Sequence, residues 1–272
     1  MSVQAARAPT PQPPILQRET VGAIAVLTLN RPAARNSLSA AMIASLQAEL
    51  NGIRDDKAVR GVVIAANGPA FSAGHDMKEL TARRADPDRG RAFFAEIMNS
   101  CSAMMQAIVQ LPKPVVASVQ GIATAAGCQL VASCDLAIAS EAASFATPGV
   151  DIGLFCSTPM VALSRNVPRK QAMEMLLTGE PIPALRAREI GLVNRVFDGR
   201  EALQAGVHEV AAAIAGKSPL SIRGTKEMLN YARDHSVADG LNYIATWNAA
   251  MLMSEDLTQA MMAGKATPSF RD

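Results

Sequence analysis

Apolar positions along the chain follow two alternating periods. Short continuous runs, Ala23 to Leu29 (AIAVLTL), Gly61 to Ala66 (GVVIAA), Val115 to Val119 (VVASV) and Cys134 to Ala139 (CDLAIA), are rich in strand formers and read as buried strands. Between them, apolar residues recur at three- and four-residue steps. Met42, Leu46, Leu50 and Ile53 predict one helix, with Ser37 or Ser39 as its cap. Phe94, Ile97, Cys101, Met104, Met105 and Ile108 predict a longer one that stops near Leu111-Pro112. Gly121 to Leu130 (GIATAAGCQL) starts with glycine and turns into a small-residue helix. Later, Leu203, Val207, Val210 and Ile214 form one amphipathic stripe, and Pro219 to Ala263 supplies two or three further helices. Buried strands alternating with amphipathic helices predict an α/β fold. A helical region set apart from such a core is expected to pack against other subunits.

Composition narrows the function. The 272 residues are 49% hydrophobic and 18% charged, enough to bury a full core and too apolar for disorder. The 26 basic and 24 acidic residues leave a net charge of +2 with no basic face, which argues against a nucleic-acid partner. The stretch from Val115 to Ser140 is interrupted by Gln120, Gln129 and Asp135, so no membrane span is expected. Cys101, Cys128, Cys134 and Cys156 have no metal-site spacing and read as reduced core thiols, consistent with a cytoplasmic protein and no metal. Residues 1–20 are Pro-rich and read as a disordered tail. The absence of acids before Glu19 leaves open an organelle-transit segment, which would make the protein mitochondrial if it is eukaryotic.

Two segments offer backbone donors where a strand meets a helix. In FSAGHDMKEL, residues 71 to 80, Gly74 permits a tight turn and the following amides point forward at a helix start. In the second, Ala125, Ala126 and Gly127 keep side chains clear of the amides. Side by side, such loops make an oxyanion hole. Taken singly, small residues before a helix are more often a device for close packing.

The first of these loops resembles the F-x-A-G-x-D loop of the enoyl-CoA hydratase/isomerase (crotonase) family. VASVQGIATAAGCQLVASCDLAIASEAASFATPGVDIGL is similar to that family's second loop and following strand, AMEMLLTGEPIPALRAREIGLVNRVF to its next helices, and KATPSF to its C-terminus. The resemblance implies a crotonase-like spiral of ββα units over residues 21–200 and a helical oligomerisation region over 201–272. It also implies trimers or dimers of trimers, and an acyl-CoA thioester ligand with coenzyme A as part of the substrate rather than a separate cofactor. The oxyanion donors would be the amides of His75 and Ala126. Ala73, His75, Asp76, Met77 and Lys78 would line the CoA channel, Arg35, Asn36 and Ser37 would lie near its adenine end, and Lys265 or Arg271 would reach a neighbour's CoA phosphate unless they are solvated surface charges.

One part of the family pattern is missing. Hydratases of the family use two glutamates, and those positions hold Gln129 and Gly149 here. A well-placed acid or base is worth roughly 10²- to 10⁴-fold, so a standard hydratase mechanism is not supported. Asp151, alternatively a turn or capping carboxylate, and Ser157 are candidate substitutes, and the His75 imidazole is a candidate base. Restoring both glutamates is expected to raise hydration. The reading is a weak or atypical acyl-CoA lyase or isomerase of fatty-acid-type metabolism. The alternatives are acyl-CoA decarboxylase chemistry and a catalytically silent acyl-CoA-binding or regulatory protein.

Overall fold

A computed structural model describes residues 13–263 and 270. Strand β1 (Leu16–Val21) pairs antiparallel with β2 (Ile24–Leu29), and helix α1 (Ala40–Arg54) follows, capped by Ser39 Oγ on the Met42 amide. The tail expected through residue 20 is therefore too long: Gln17, Glu19 and Val21 alternate with Arg18 and Thr20 on an edge strand whose hydrogen bonds come from β2. Edge strands of mixed polarity carry little apolar signal.

Three ββ pairs then repeat. They are β3 (Gly61–Ala66) with β4 (Ala70–Ser72), β5 (Val115–Val119) with β6 (Ile122–Thr124), and β7 (Leu136–Ser140) with β8 (Ser144–Ala146). Helices α2 (Met77–Ala82) and α3 (Arg91–Val109) follow the first pair, and α4 (Ala126–Ser133) follows the second. After the third come a 3₁₀ turn (Pro148–Ile152), α5 (Ser157–Asn166) and α6 (Arg169–Thr178). The first member of each pair joins a six-stranded sheet, parallel apart from β1. The second joins a four-stranded sheet that ends in β9 (Ile182–Pro183). This is the expected spiral. Helix α7 (Ala184–Glu189) and β10 (Arg195–Phe197), the last strand of the large sheet, complete the core.

Both faces of the large sheet are covered, which explains its continuous apolar strands. Val62, Ile64, Val115 and Ala117 face the main core with α1, α3 and α4. Val63, Val116 and Ile138 face Leu203 and Val207 of α8 (Gly199–Ala215). The fourth run starts later than expected, because Cys134 still closes α4 through its amide on Val131 O. Among the described residues α3 alone is long and apolar enough to cross a bilayer, but Ile97, Cys101, Met104, Met105 and Ile108 spend that apolarity in the core.

Helices α9 (Pro219–Asp234), α10 (Val237–Met251) and α11 (Glu255–Ala263) form the C-terminal region. Lys226 of α9 ties it to the core, donating to Ile108 O, Lys113 O and Asp135 Oδ2.

Candidate functional site

Strands β4 and β6 are parallel neighbours, so the loops that leave them emerge side by side. Gly74 has φ +81°, and a methyl group built on it would lie 2.9 Å from Thr124 O and 3.0 Å from Ala126 N. Only glycine lets the two loops meet there. On the other loop Ala125 holds φ 51° and ψ −121°, a conformation that disfavours a residue with a Cβ, at the N-cap of α4. Strain of this kind costs about 1–3 kcal/mol and concentrates at functional sites.

Leu38 N donates to Gly74 O at 2.7 Å and Asp76 N to Leu38 O at 3.4 Å, so the peptides flanking His75 are held while its own amide is left out of the ladder. Neither the His75 N–H nor the Ala126 N–H donates to another described residue. Two adjacent unpaired amides, one of them at a helix start, are a site for an oxygen carrying negative charge.

Asp76 builds the frame around this pair. Its Oδ2 accepts from Ser37 Oγ at 3.0 Å and Arg31 Nη2 at 3.2 Å, and its Oδ1 caps α2 through the Lys78 and Glu79 amides. Burial pushes the carboxyl up, but Ser37, the Glu79 amide and Arg31 outweigh it and hold it below the usual carboxylate range. Asn36 is fully buried. Its Nδ2 donates to Asn67 O and Ala70 O, and its Oδ1 accepts from the Arg31 amide. Of the expected channel residues, Asn36, Ser37 and Asp76 thus spend their polar atoms on the scaffold. Ala73 is tied through its amide to Arg35 O, and the Arg35, Met77 and Lys78 side chains are exposed. Lys265 and Arg271 lie outside the described residues.

Gln129 lies three residues beyond Ala126 on α4. Its Oε1 accepts from Thr158 Oγ1 at 2.8 Å, so the amide nitrogen is the group left for a ligand. Gln129 and Thr158 both line a cavity of about 510 Å³ between α3, α4, α5 and α9, whose wall mixes Met105 and Val161 with Ser102, Gln106 and Asn166. The Gly149 position is filled: a methyl there would lie 2.9 Å from Cys156 N and 3.0 Å from Cys156 Sγ. The Gly149 amide donates to that sulfur at 3.3 Å, and burial raises the Cys156 thiol pKa.

The candidate substitutes differ in exposure and partners. Asp151 is exposed, with its carboxylate against Gly179 at the end of α6. Ser157 is exposed at the start of α5, where its amide donates to Phe155 O. The neighbouring hydroxyl, Thr158, is the one that turns inward to Gln129. Nothing in the spacing of the Ser157-Thr158 pair distinguishes them until the start of α5 is known. The His75 side chain is half-buried with Nε2 unpartnered, and burial lowers its pKa, so the imidazole is neutral at pH 7. The four cysteines are buried free thiols, with Cys128 pushed up to about 12 and Cys101 to about 11 by burial. Among the described residues no cluster of histidine, cysteine and carboxylate side chains is placed to hold a metal.

Comparison with known proteins agrees with this architecture. The family profile described as enoyl-CoA hydratase/isomerase matches residues 19–272. Human "enoyl-CoA hydratase domain-containing protein 3, mitochondrial" is 50% identical over 192 residues, which are 71% of this chain; the chain spans only 61% of that relative's length. Two crystal structures superpose with a TM-score of 0.89. An enoyl-CoA hydratase of Mycobacterium smegmatis is 41% identical and covers 96% of this chain and 100% of its own. The human domain-containing protein 3 is 40% identical and covers 94% and 100%. The relative named here is called mitochondrial, so the expected cytoplasmic location gains no support from it. The chain belongs to the enoyl-CoA hydratase/isomerase family.

Proposed function

We propose that this protein binds acyl-CoA thioesters and acts on them as an atypical lyase or isomerase that polarises the thioester carbonyl without the family's pair of acids. The observation that carries the reading is the meeting of two unpaired amides, His75 and Ala126, across Gly74, with Gln129 and a Cys156-filled Gly149 where carboxylates would stand. The thioester oxygen accepts from both amides, and negative charge that develops there is stabilised in the enolate. The acyl chain extends past Gln129 into the cavity beneath α5, while coenzyme A runs outward along the exposed Arg35, Met77 and Lys78.

Decarboxylation of a malonyl-type thioester suits this donor set. The bond to the carboxylate breaks, carbon dioxide leaves, the electron pair enters the enolate held by the two amides, and the α-carbon then takes a proton from water. No base is needed to form the enolate. A second reading, a catalytically silent acyl-CoA-binding protein, is favoured by Cys156, which closes off the Gly149 position. We further infer self-association as a trimer or dimer of trimers, because Ile152, Leu154 and Phe155 expose 60–65% of their surface beside α5.

The test is a crotonyl-CoA hydration and malonyl-CoA decarboxylation assay, with calorimetric titration of the same thioesters. Binding with decarboxylation and little hydration is the expected result. Binding without turnover of either establishes the silent reading, and no binding overturns both. Light scattering on the same sample reads the assembly.

A further inference from the structure

The parallel strands of the large sheet have two ends, and the paired amides follow only one of them. At the other end, where β3 begins at Gly61 and β5 at Val115, lies a cavity of about 480 Å³. Strands of five or six residues rise roughly 3.3 Å per residue, so the two ends are about 17–20 Å apart. This cavity is no part of the acyl-CoA site.

Its charge is one-sided. Arg54, Lys57, Arg60, Lys113, Lys217 and Arg223 line it, with Asp55 the one acid among the described lining residues, in a chain whose cations exceed its acids by only two. Part of this charge caps backbone carbonyls. Lys113 donates to Ile53 O and Asp56 O behind α1, Arg54 to Gln110 O, and Arg60 to Ala215 O and Phe270 O. Arg223 pairs with Glu227. The Lys57 and Lys217 side chains are exposed, and neither ammonium makes a hydrogen bond or ion pair with a described residue. The Leu220 N–H, in the first turn of α9, also has no described acceptor. Beneath the cations the lining is apolar, with Val59, Pro112, Ile214 and Leu220.

An apolar floor under a cationic rim is complementary to a molecule with an apolar body and one anionic end. We propose that this cavity is a second ligand site, and that it takes a medium-chain carboxylate with its head at Lys57 and Lys217 and its chain on Val59, Ile214 and Leu220. A bound anion here offsets the mutual repulsion of the six cations, so the ligand couples to stability.

Octanoate titrated calorimetrically into the full chain tests this, with and without saturating coenzyme A. One site is expected, its heat undiminished by coenzyme A, and acetate and octanol should bind at least tenfold more weakly because each lacks one half of the ligand. Lys57→Glu with Lys217→Glu, both on exposed side chains, should weaken octanoate at least tenfold without lowering Tm, since the exchange also relieves repulsion among the cations. Leu220→Asp, a substitution tolerated in a helix's first turn, probes the floor independently and should have the same effect on octanoate. Absence of octanoate binding, its loss when coenzyme A is added, or unchanged affinity in these variants overturns the proposal.

Discussion

Thr158 Oγ1 donates to Gln129 Oε1 at 2.8 Å, joining the first turn of α5 to the helix that begins at Ala126. The bond pins the amide at the position where the sequence resemblance places an acid in the family's hydratases. Thr158→Val leaves the amide oxygen unpaired in a residue only 5% exposed, and should cost about 1–3 kcal/mol in denaturant unfolding. Gln129→Glu keeps the Thr158 bond and should be tolerated. With no second acid opposite, crotonyl-CoA hydration by this variant should rise less than tenfold.

Replacing both family positions does not follow so simply. A Cβ at Gly149 meets the Cys156 backbone at 2.9 Å, so Gly149→Ala should destabilise by about 1–3 kcal/mol through overpacking. The Gln129→Glu, Gly149→Glu double variant should melt well below the wild type, and the gain in hydration expected from sequence should be absent. Melting curves read beside activity separate the two effects.

Ala125 tests whether strain serves the donor loop. Ala125→Val places a β-branched residue at φ 51° and should cost about 1–3 kcal/mol with weaker acyl-CoA binding. Ala125→Gly relieves the strain and should leave Tm unchanged or higher, since the gain offsets glycine's greater entropy when unfolded.

The Asp76 carboxyl titrates below its unfolded value, so its stabilisation is fully present above a pH of about 4 and is lost as pH falls through the lowered folded value. Asp76→Asn loses the ion pair with Arg31 and weakens the α2 cap. It should lower stability at pH 7 by about 1–2 kcal/mol and flatten the acid limb of the stability profile. His75 runs the same way at higher pH. Burial lowers its folded value, so stability should decline as pH falls below about 6.5, and His75→Gln should remove that decline.

Much of this arrangement is legible in the sequence alone. The buried runs at Gly61, Val115 and Leu136 carry a strong apolar signal because α8 covers the sheet's second face, and the glycine-bearing loops mark the donor turns. The four-stranded sheet was not legible: Ala70–Ser72, Ile122–Thr124 and Ser144–Ala146 are three residues each, too short to show a period. Strand β1 escaped because its polar side chains face outward at an edge. Asp76 was legible as a loop residue but not as a scaffold, because its partners Arg31 and Ser37 lie about forty positions earlier. The choice between Ser157 and Thr158 depends on one step of helix phase, which composition does not carry.

Lys226 is nearly enclosed, with 8% of its side chain exposed, and one ammonium group meets carbonyls in the last turn of α3 and before β5 together with the carboxylate that follows α4. Loosening of α9 strips these oxygens of their cation and leaves the Asp135 carboxylate without its counter-ion. Amide hydrogen exchange should therefore show α9 and residues 126–133 opening as one cooperative unit, so that the helix presenting the Ala126 amide draws its protection from a segment remote in sequence.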